Sequence, residues 1–461
     1  MAPLSASGVR PTDLSQVLAA GTPDALESWL EAVTDPGERT GQLALLEPDE
    51  RRRLGDLLDA DTGEELVSTL QPHAAGDLLI GIAPARAGIV LDALNSDHAA
   101  EVLRELEPAE REPLLAAVPL TQANVLHALL AWPDDAAAAH MVPEVLTVAA
   151  DAEAAEAVAG LRAEATHRRI DSQSGGYVYA VDGDRRLVGV LAFRDLVLAP
   201  AGTPVSELMD PDVLAVAPLD DSEHAARTLR EYRLLAIPVV DAENRLLGVL
   251  TADAAADIAA EEATEDAELQ GGSQPLDTPY LRASPWLLWR KRIVWLLILF
   301  VASAYTATVM QIFEDELDAV VALAFFIPLL IGTGGNTGTQ ITTTLVRAIA
   351  TGQVRMRDVG RVLSKEMTSA LLVALTMAIT GLIRAFLLGV GWAVVLTVVL
   401  TIVAIVLWSA FVASILPLVL KKTRVDPAVA SAPMISTIVD GTGLVIYFLI
   451  AKALLPELAG L

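Results

Sequence analysis

The chain has 461 residues, 53% of them hydrophobic, yet it carries a formal charge of −27 and no cysteine. The two properties occupy different parts: up to Pro285 there are 50 acidic and 19 basic residues, and from Trp286 onward 9 and 13. A strongly anionic half excludes nucleic acid as a partner, because phosphate must be neutralised by Lys and Arg, and the lack of thiols excludes disulfide frameworks, Cys-zinc sites and cysteine catalysis.

The first thirty residues include Arg10, but Pro11, Asp13, Pro23 and Asp24 interrupt any apolar run. No secretory signal is expected, and the soluble half is expected to stay in the cytoplasm. From residue 15 to about 132, leucines recur at helical spacing, and Pro48, Pro84 and Pro108 stand where helices can begin, since proline suits the first turn. The pattern predicts a stack of short helices resembling a degenerate repeat, with an ordinary helical bundle as the alternative.

Residues 142–260 change character. Two similar units each place two apolar runs around a polar turn: Tyr177–Val181 and Leu187–Leu191 across Gly183, then Ile237–Val240 and Leu246–Leu250 across Asn244. They share D-x-x-x-R-L-x-G-V-L, over Asp182–Leu191 and Asp241–Leu250, and each is followed by a predicted helix near Arg194 or Thr251. Residues 253–270 predict one helix dense in carboxylates, and Gly-Gly-Ser-Gln-Pro at 271–275 ends the soluble half.

Five hydrophobic stretches follow, near 293–312, 319–346, 367–388, 392–419 and 433–453. Each is long enough to cross a bilayer, which takes roughly 20 apolar residues. Basic residues flank one side only: Arg290, Lys291 and Arg292; then Arg347, Arg355, Arg357, Arg361 and Lys365; then Lys421, Lys422 and Arg424. The connections at 314–318 and 389–391 carry none. The positive-inside rule therefore predicts a multi-pass protein of the cell membrane with a cytoplasmic N-terminal half and the C-terminus outside.

Polar residues inside these stretches are the candidates for chemistry. Pro328–Gln340, PLLIGTGGNTGTQ, reads as a polar break in the second span. Such a run is costly unless it lines a protected or wet cavity. Its glycines would let backbone carbonyls face an ion or let a neighbouring helix approach, and Asn336 and Gln340 would expose amide oxygens. It lacks the Lys-Ser/Thr ending of a phosphate loop and the setting of a dinucleotide fingerprint. In the fifth span Asp440 has apolar neighbours on both sides. A carboxylate at that depth costs about 3 kcal/mol on insertion scales and should face a pathway or a partner, with Arg384 of the third span as the structural alternative. Asp426 is a second candidate at the inner mouth, or a cap before Pro427.

The paired β-turn-β units resemble a tandem pair of CBS motifs, which are regulatory modules. The GTGGNTGTQ run, the DPAVASAP segment, S-T-I-V-D-G-T-G-L, the EEATED sequence at 261–266 and the order of domains resemble the MgtE family of Mg²⁺ channels over essentially the whole chain. The resemblance implies a multidomain fold. An all-α N-terminal domain (1–140) and an α+β tandem CBS pair (141–252) would be followed by an acidic plug or connecting helix (253–284) and a five-helix transmembrane pore domain (285–461). It also implies a homodimer in the lipid bilayer with the pore on the two-fold axis. Asp440 matches the pore carboxylate, and Gly332, Asn336 and Thr337 the matching pore segment. Asp253, Asp257, Glu262, Glu265 and Asp266 fall on plug positions that bind regulatory Mg²⁺, and Asp220, Asp221 and Glu223 on the matching CBS surface. Ala254 stands where the family often has a second consecutive Asp, which puts one regulatory ligand in doubt. CBS pairs can also bind an adenine nucleotide, and no residue in the sequence decides that.

The implied function is Mg²⁺ uptake through a channel that closes when cytoplasmic Mg²⁺ bridges the acidic surfaces. Mg²⁺ favours octahedral oxygen and sheds water reluctantly, so two Asp440 carboxylates around a largely hydrated ion would suit it. The six histidines (His73, His98, His127, His140, His167 and His224) show no close ligand spacing, which disfavours a dedicated zinc or nickel site. The rival readings are a divalent-cation transporter coupled to Na⁺ or H⁺ and a membrane-anchored signalling protein. An enzyme is disfavoured by the lack of a nucleophile–base pair or phosphate loop.

Overall fold

The computed structural model describes residues 11–165, 176–276, 280, 283–423 and 425–458. His167 and Arg424, named above, lie outside the described residues. The chain divides into two compact units, residues 1–261 and 262–461.

In the first unit, ten short helices run from Leu14 to Leu130. Pro48, Pro84 and Pro108 each occupy the first turn of a helix, as do Pro23, Pro36 and Pro72. Proline lacks the N–H that would be orphaned there, so the same residue ends one helix and starts the next. Ala60–Ser68 opens instead on a reciprocal cap: Thr62 N–H donates to the Asp59 carboxylate at 2.9 Å, and Asp59 N–H to Thr62 Oγ1 at 3.1 Å. From Pro48 onward each helix packs on the next but one, Ala60–Ser68 on Pro84–Ala93 and Pro72–Gly81 on Ser96–Arg104. That is the geometry of a stack, the first of the two predicted arrangements. Gly88 permits one of these contacts, because a Cβ there would lie 2.4 Å from the Ala117 carbonyl oxygen.

The two β-turn-β units follow. A three-stranded sheet orders β1 (Thr147–Ala149), β2 (Tyr177–Val181) and β3 (Leu187–Ala192), and a two-stranded sheet pairs β4 (Ala236–Val240) with β5 (Leu246–Thr251). β1 is parallel to β2 and was not anticipated, being only three residues long. The shared Asp is the turn-maker. The Asp182 carboxylate accepts from the N–H groups of Asp184 and Arg186, and Asp241 from those of Glu243 and Arg245. Arg185 and Asn244 take positive φ, 62° in both turns. The two turns then meet: Leu187 N–H donates to the Asn244 carbonyl at 2.8 Å, and the Asn244 side-chain amide to the Leu187 carbonyl at 2.7 Å. The repeated sequence therefore builds a repeated turn, and the repeats pair through it. After β5 the helix Ala252–Gln270 carries the acidic run.

The second unit holds five helices long and apolar enough to cross a membrane: Pro285–Ile312, Val321–Ala350, Met356–Leu387, Trp392–Lys422 and Ala432–Leu454. The first and third start well before the apolar runs alone suggested, so that Arg290, Lys291 and Arg292 lie within the first helix. The second span corrects the expectation of a break. After a 3₁₀ turn (Val321–Phe326), Ile327–Ala350 is one unbroken α-helix through all of GTGGNTGTQ. The second, fourth and fifth spans pack on one another, while among the spans the third packs mainly on the fourth and the first on the fifth.

Candidate ion pathway

The glycines of the second span are explained by close packing. A Cβ on Gly334 would lie 2.6 Å from Ile405 and 2.8 Å from Val439, and one on Gly338 would lie 2.5 Å from Ile435 and 2.8 Å from Ser409. In a continuous helix the carbonyls are already committed to helical bonds, and two are further capped: Ser409 Oγ donates to the Gly334 carbonyl at 2.7 Å, and Thr337 Oγ1 to that of Thr333 at 2.8 Å. The carbonyls are thus engaged within the helix, and at Gly334 also by Ser409, rather than lining an open path, and small residues let the fourth and fifth spans approach.

The open face of this helix runs through side chains instead. Gly332 has open space where a Cβ would stand, and Asn336 and Gln340 are exposed at successive turns. Thr337 points the other way and is buried. Beside this face lies the fifth span, where Asp440 is half-buried and its Oδ1 sits 3.6 Å from the position of a Gly335 Cβ, next to Ser436. Among the described residues the Asp440 carboxylate takes no hydrogen bond and no ion pair, and exposed Arg384 does not reach it. On the other side of the fifth span, Gly441 admits Tyr305 of the first span, and Trp408 Nε1 donates to Thr442 Oγ1 at 2.8 Å. These contacts fix the rotation of the helix, and with it the direction of Asp440.

Asp426 accepts from the Ala428 N–H at 2.8 Å and caps the short turn Pro427–Val429 while remaining exposed. The fifth helix itself starts at Ala432, capped by Ser431. At the opposite end of that helix, Lys452 Nζ lies 2.9 Å from Glu316 Oε1, and Glu316 is only 4% exposed. Burial alone would raise the Glu316 carboxyl, but the Lys452 hydrogen bond, its own backbone N–H and the Lys452 charge together outweigh it and hold the group below its ordinary value. Tyr447 donates to the Leu323 carbonyl at 3.0 Å beside this pair.

In the first unit, Asp253 and Asp257 stand one turn apart on the acidic helix, and burial followed by repulsion from Asp253 raises the Asp257 carboxyl. Glu101, on the helix Ser96–Arg104, is pushed to about 7 by burial first, then by Asp257, Asp97, Glu261 and Glu105. Sequence reasoning missed Glu101 and Asp97, because the only signal was an i, i+4 acidic pair far from the acidic helix in the chain. Glu262, Glu265 and Asp266 continue that helix in the second unit. The three CBS candidates have local partners. Asp220 accepts from Ala217 N–H at 2.8 Å, Asp221 caps the helix Ser222–Glu231 through His224 N–H, and Glu223 pairs with Arg227.

Comparison with known proteins bears on these residues. A family model described as a divalent cation transporter, MgtE, matches residues 327–450, the MgtE intracellular N domain matches 34–135, and a CBS domain matches 205–260. The magnesium transporter MgtE of Thermus thermophilus is 38% identical over 365 residues, covering 77% of this chain and 78% of the relative. That of Bacillus subtilis is 29% identical over 371 residues, covering 80% of each. A solved structure described as the cytosolic domain of the Mg²⁺ channel MgtE in complex with ATP is 31% identical, covers 54% of this chain and 99% of its own, and has a TM-score of 0.47.

Proposed function

The chain belongs to the MgtE family of divalent cation transporters, and on that premise we propose that it carries Mg²⁺ across the cell membrane along a path that includes Asp440. The observation that supports this most directly is a half-open carboxylate within an apolar span, with no hydrogen bond or ion pair among the described residues and lying beside Gly335 and Ser436. An ionised group is costly there unless water, a cation or another polar partner stands against it. A homodimer with the two-fold axis along this face would bring two Asp440 carboxylates to one ion, which can keep most of its water and be held through it. The direct contribution of each residue differs. Asp440 supplies charge, Asn336 and Ser436 supply neutral oxygen, and Gly332 supplies width.

The same reading makes the protein a channel closed by its own cargo, with the N-terminal half in the cytoplasm. Asp257 and Glu261 lie near Glu101 and Asp253 near Asp257, and the carboxyls of Glu101 and Asp257 are raised by burial first and then by these neighbouring charges, a repulsion that a dication would relieve. Mg²⁺ bound there, and at Glu262, Glu265 and Asp266, stabilises whichever arrangement brings the carboxylates together, by its differential affinity for that arrangement. Asp220, Asp221 and Glu223 contribute less, being engaged in a turn, a cap and an ion pair. An adenine nucleotide at the CBS pair is a further element of the reading, testable by equilibrium dialysis with labelled ATP. The coupled-transporter alternative loses the Asp440–Arg384 pair that would have served a proton. Mg²⁺-dependent growth of a host lacking Mg²⁺ uptake tests the function: the intact chain restores growth and Asp440→Ala does not. Electrical current in a bilayer without any Na⁺ or H⁺ gradient identifies a channel, and its absence with uptake retained identifies a coupled transporter.

A further inference from the structure

The third span, whose helix runs Val359–Leu387, packs mainly on the fourth and leaves a long stripe of its surface uncovered. At its basic end this stripe forms a depression of about 640 Å³ lined in part by Arg361, Ser364, Lys365, Thr368 and Leu372. The spacing i, i+4, i+7, i+11 puts Arg361, Lys365, Thr368 and Leu372 in one line along the helix. The line then continues through Leu375 and Ile379, which are 51% and 60% exposed. One surface strip thus changes from two cations and hydroxyls to bare hydrocarbon within about two turns, the same order in which a bilayer passes from headgroup to acyl chain. The Arg361 side chain is 91% exposed, and its contact with Asp358, 3.7 Å, is long. Lys365 has no hydrogen bond or ion pair among the described residues.

We infer that this strip is a binding site for one anionic phospholipid, with the phosphate held by Arg361 and Lys365 and an acyl chain lying along Leu372 and Ile379. The charge complementarity selects an anionic headgroup over a zwitterionic one, and the apolar continuation selects a lipid over free phosphate. The inference is independent of Asp440 and of which ion passes.

The test uses the full-length protein in detergent, delipidated, and native mass spectrometry with equal dioleoyl phosphatidylglycerol and dioleoyl phosphatidylcholine. One phosphatidylglycerol per chain should be retained in preference to phosphatidylcholine, and inorganic phosphate should not displace it. With each basic side chain near an anionic surface contributing about a factor of five, R361Q/K365Q should weaken retention about 25-fold, while R355Q/R357Q in the preceding turn should change it by less than about twofold. The charge-preserving R361K/K365R should keep the lipid, which separates loss of the site from loss of folding. Equal retention of phosphatidylcholine, displacement by inorganic phosphate, or equal loss in R355Q/R357Q would overturn the inference. So would a disulfide between chains formed at Lys365→Cys in native membranes, since a second copy would then cover the strip.

Discussion

Asp440→Asn keeps the side chain's size and its neighbours Gly335 and Ser436 while removing the charge, so folding should survive and Mg²⁺ uptake should fall by at least about tenfold, the effect of losing roughly 1.4 kcal/mol of ion stabilisation. The glycines of the second span divide by what surrounds them. Gly338→Ala would drive a methyl group to 2.5 Å from Ile435 and should cost about 1–3 kcal/mol, read as a lower Tm. Gly332→Ala meets nothing within 4 Å and gains helix propensity, so it should hold or raise Tm by up to about 1 kcal/mol in stability while narrowing the path and slowing uptake. In the first unit, Glu101 titrates at about 7 when folded against an ordinary 4.5. The folded state therefore holds the proton more tightly than the unfolded state, and stability falls as pH rises from about 4.5 to 7. Its side chain is 40% exposed, so solvent screening keeps the effect to about 1 kcal/mol. Glu101→Gln should remove that slope in thermal melts run with a chelator, and an unchanged slope would show that other groups carry it.

Single elements show which local rules shaped the fold. The Glu316–Lys452 pair ties the short helix Glu314–Ala319 to the end of the fifth span. Glu316→Ala leaves Lys452 without its partner, and because Lys452 is one-third exposed the cost should be about 2 kcal/mol, below the range for a fully buried pair. Chemical denaturation of the purified protein reads this, and Lys452→Met with Glu316→Gln together should recover part of it. The elements that could be read in the sequence are those set by local chemistry. Proline placed the helix starts, the Asp182 and Asp241 carboxylates placed the two hairpin turns, and apolar length placed the five spans. The break expected at GTGGNTGTQ failed for an identifiable reason. Glycine and threonine lower helix propensity, but packing against Ile405, Ile435 and Val439 holds the helix together, and propensity is overridden by tertiary contact. Asp440 stood out as a carboxylate within an apolar run, whereas Glu101 could not, because its acidic neighbours come from a distant part of the chain.

At the scale of the whole molecule, charge is segregated: an anionic N-terminal half is joined to an almost neutral half that holds the five apolar spans. In the proposed account the first half senses the ion that the second half passes. A chain lacking residues 1–270 should then conduct Mg²⁺ without being slowed by millimolar Mg²⁺ on the N-terminal side, measured as fluorescent-indicator influx into proteoliposomes. Inhibition retained in that truncation would place the sensor in the membrane half. The central claim, a passage for Mg²⁺ that depends on Asp440, is tested most directly by that same influx assay on the full-length chain with no other ion gradient. The account predicts influx that follows the Mg²⁺ gradient and is lost in Asp440→Asn. Influx undiminished in a folded Asp440→Asn protein would contradict it.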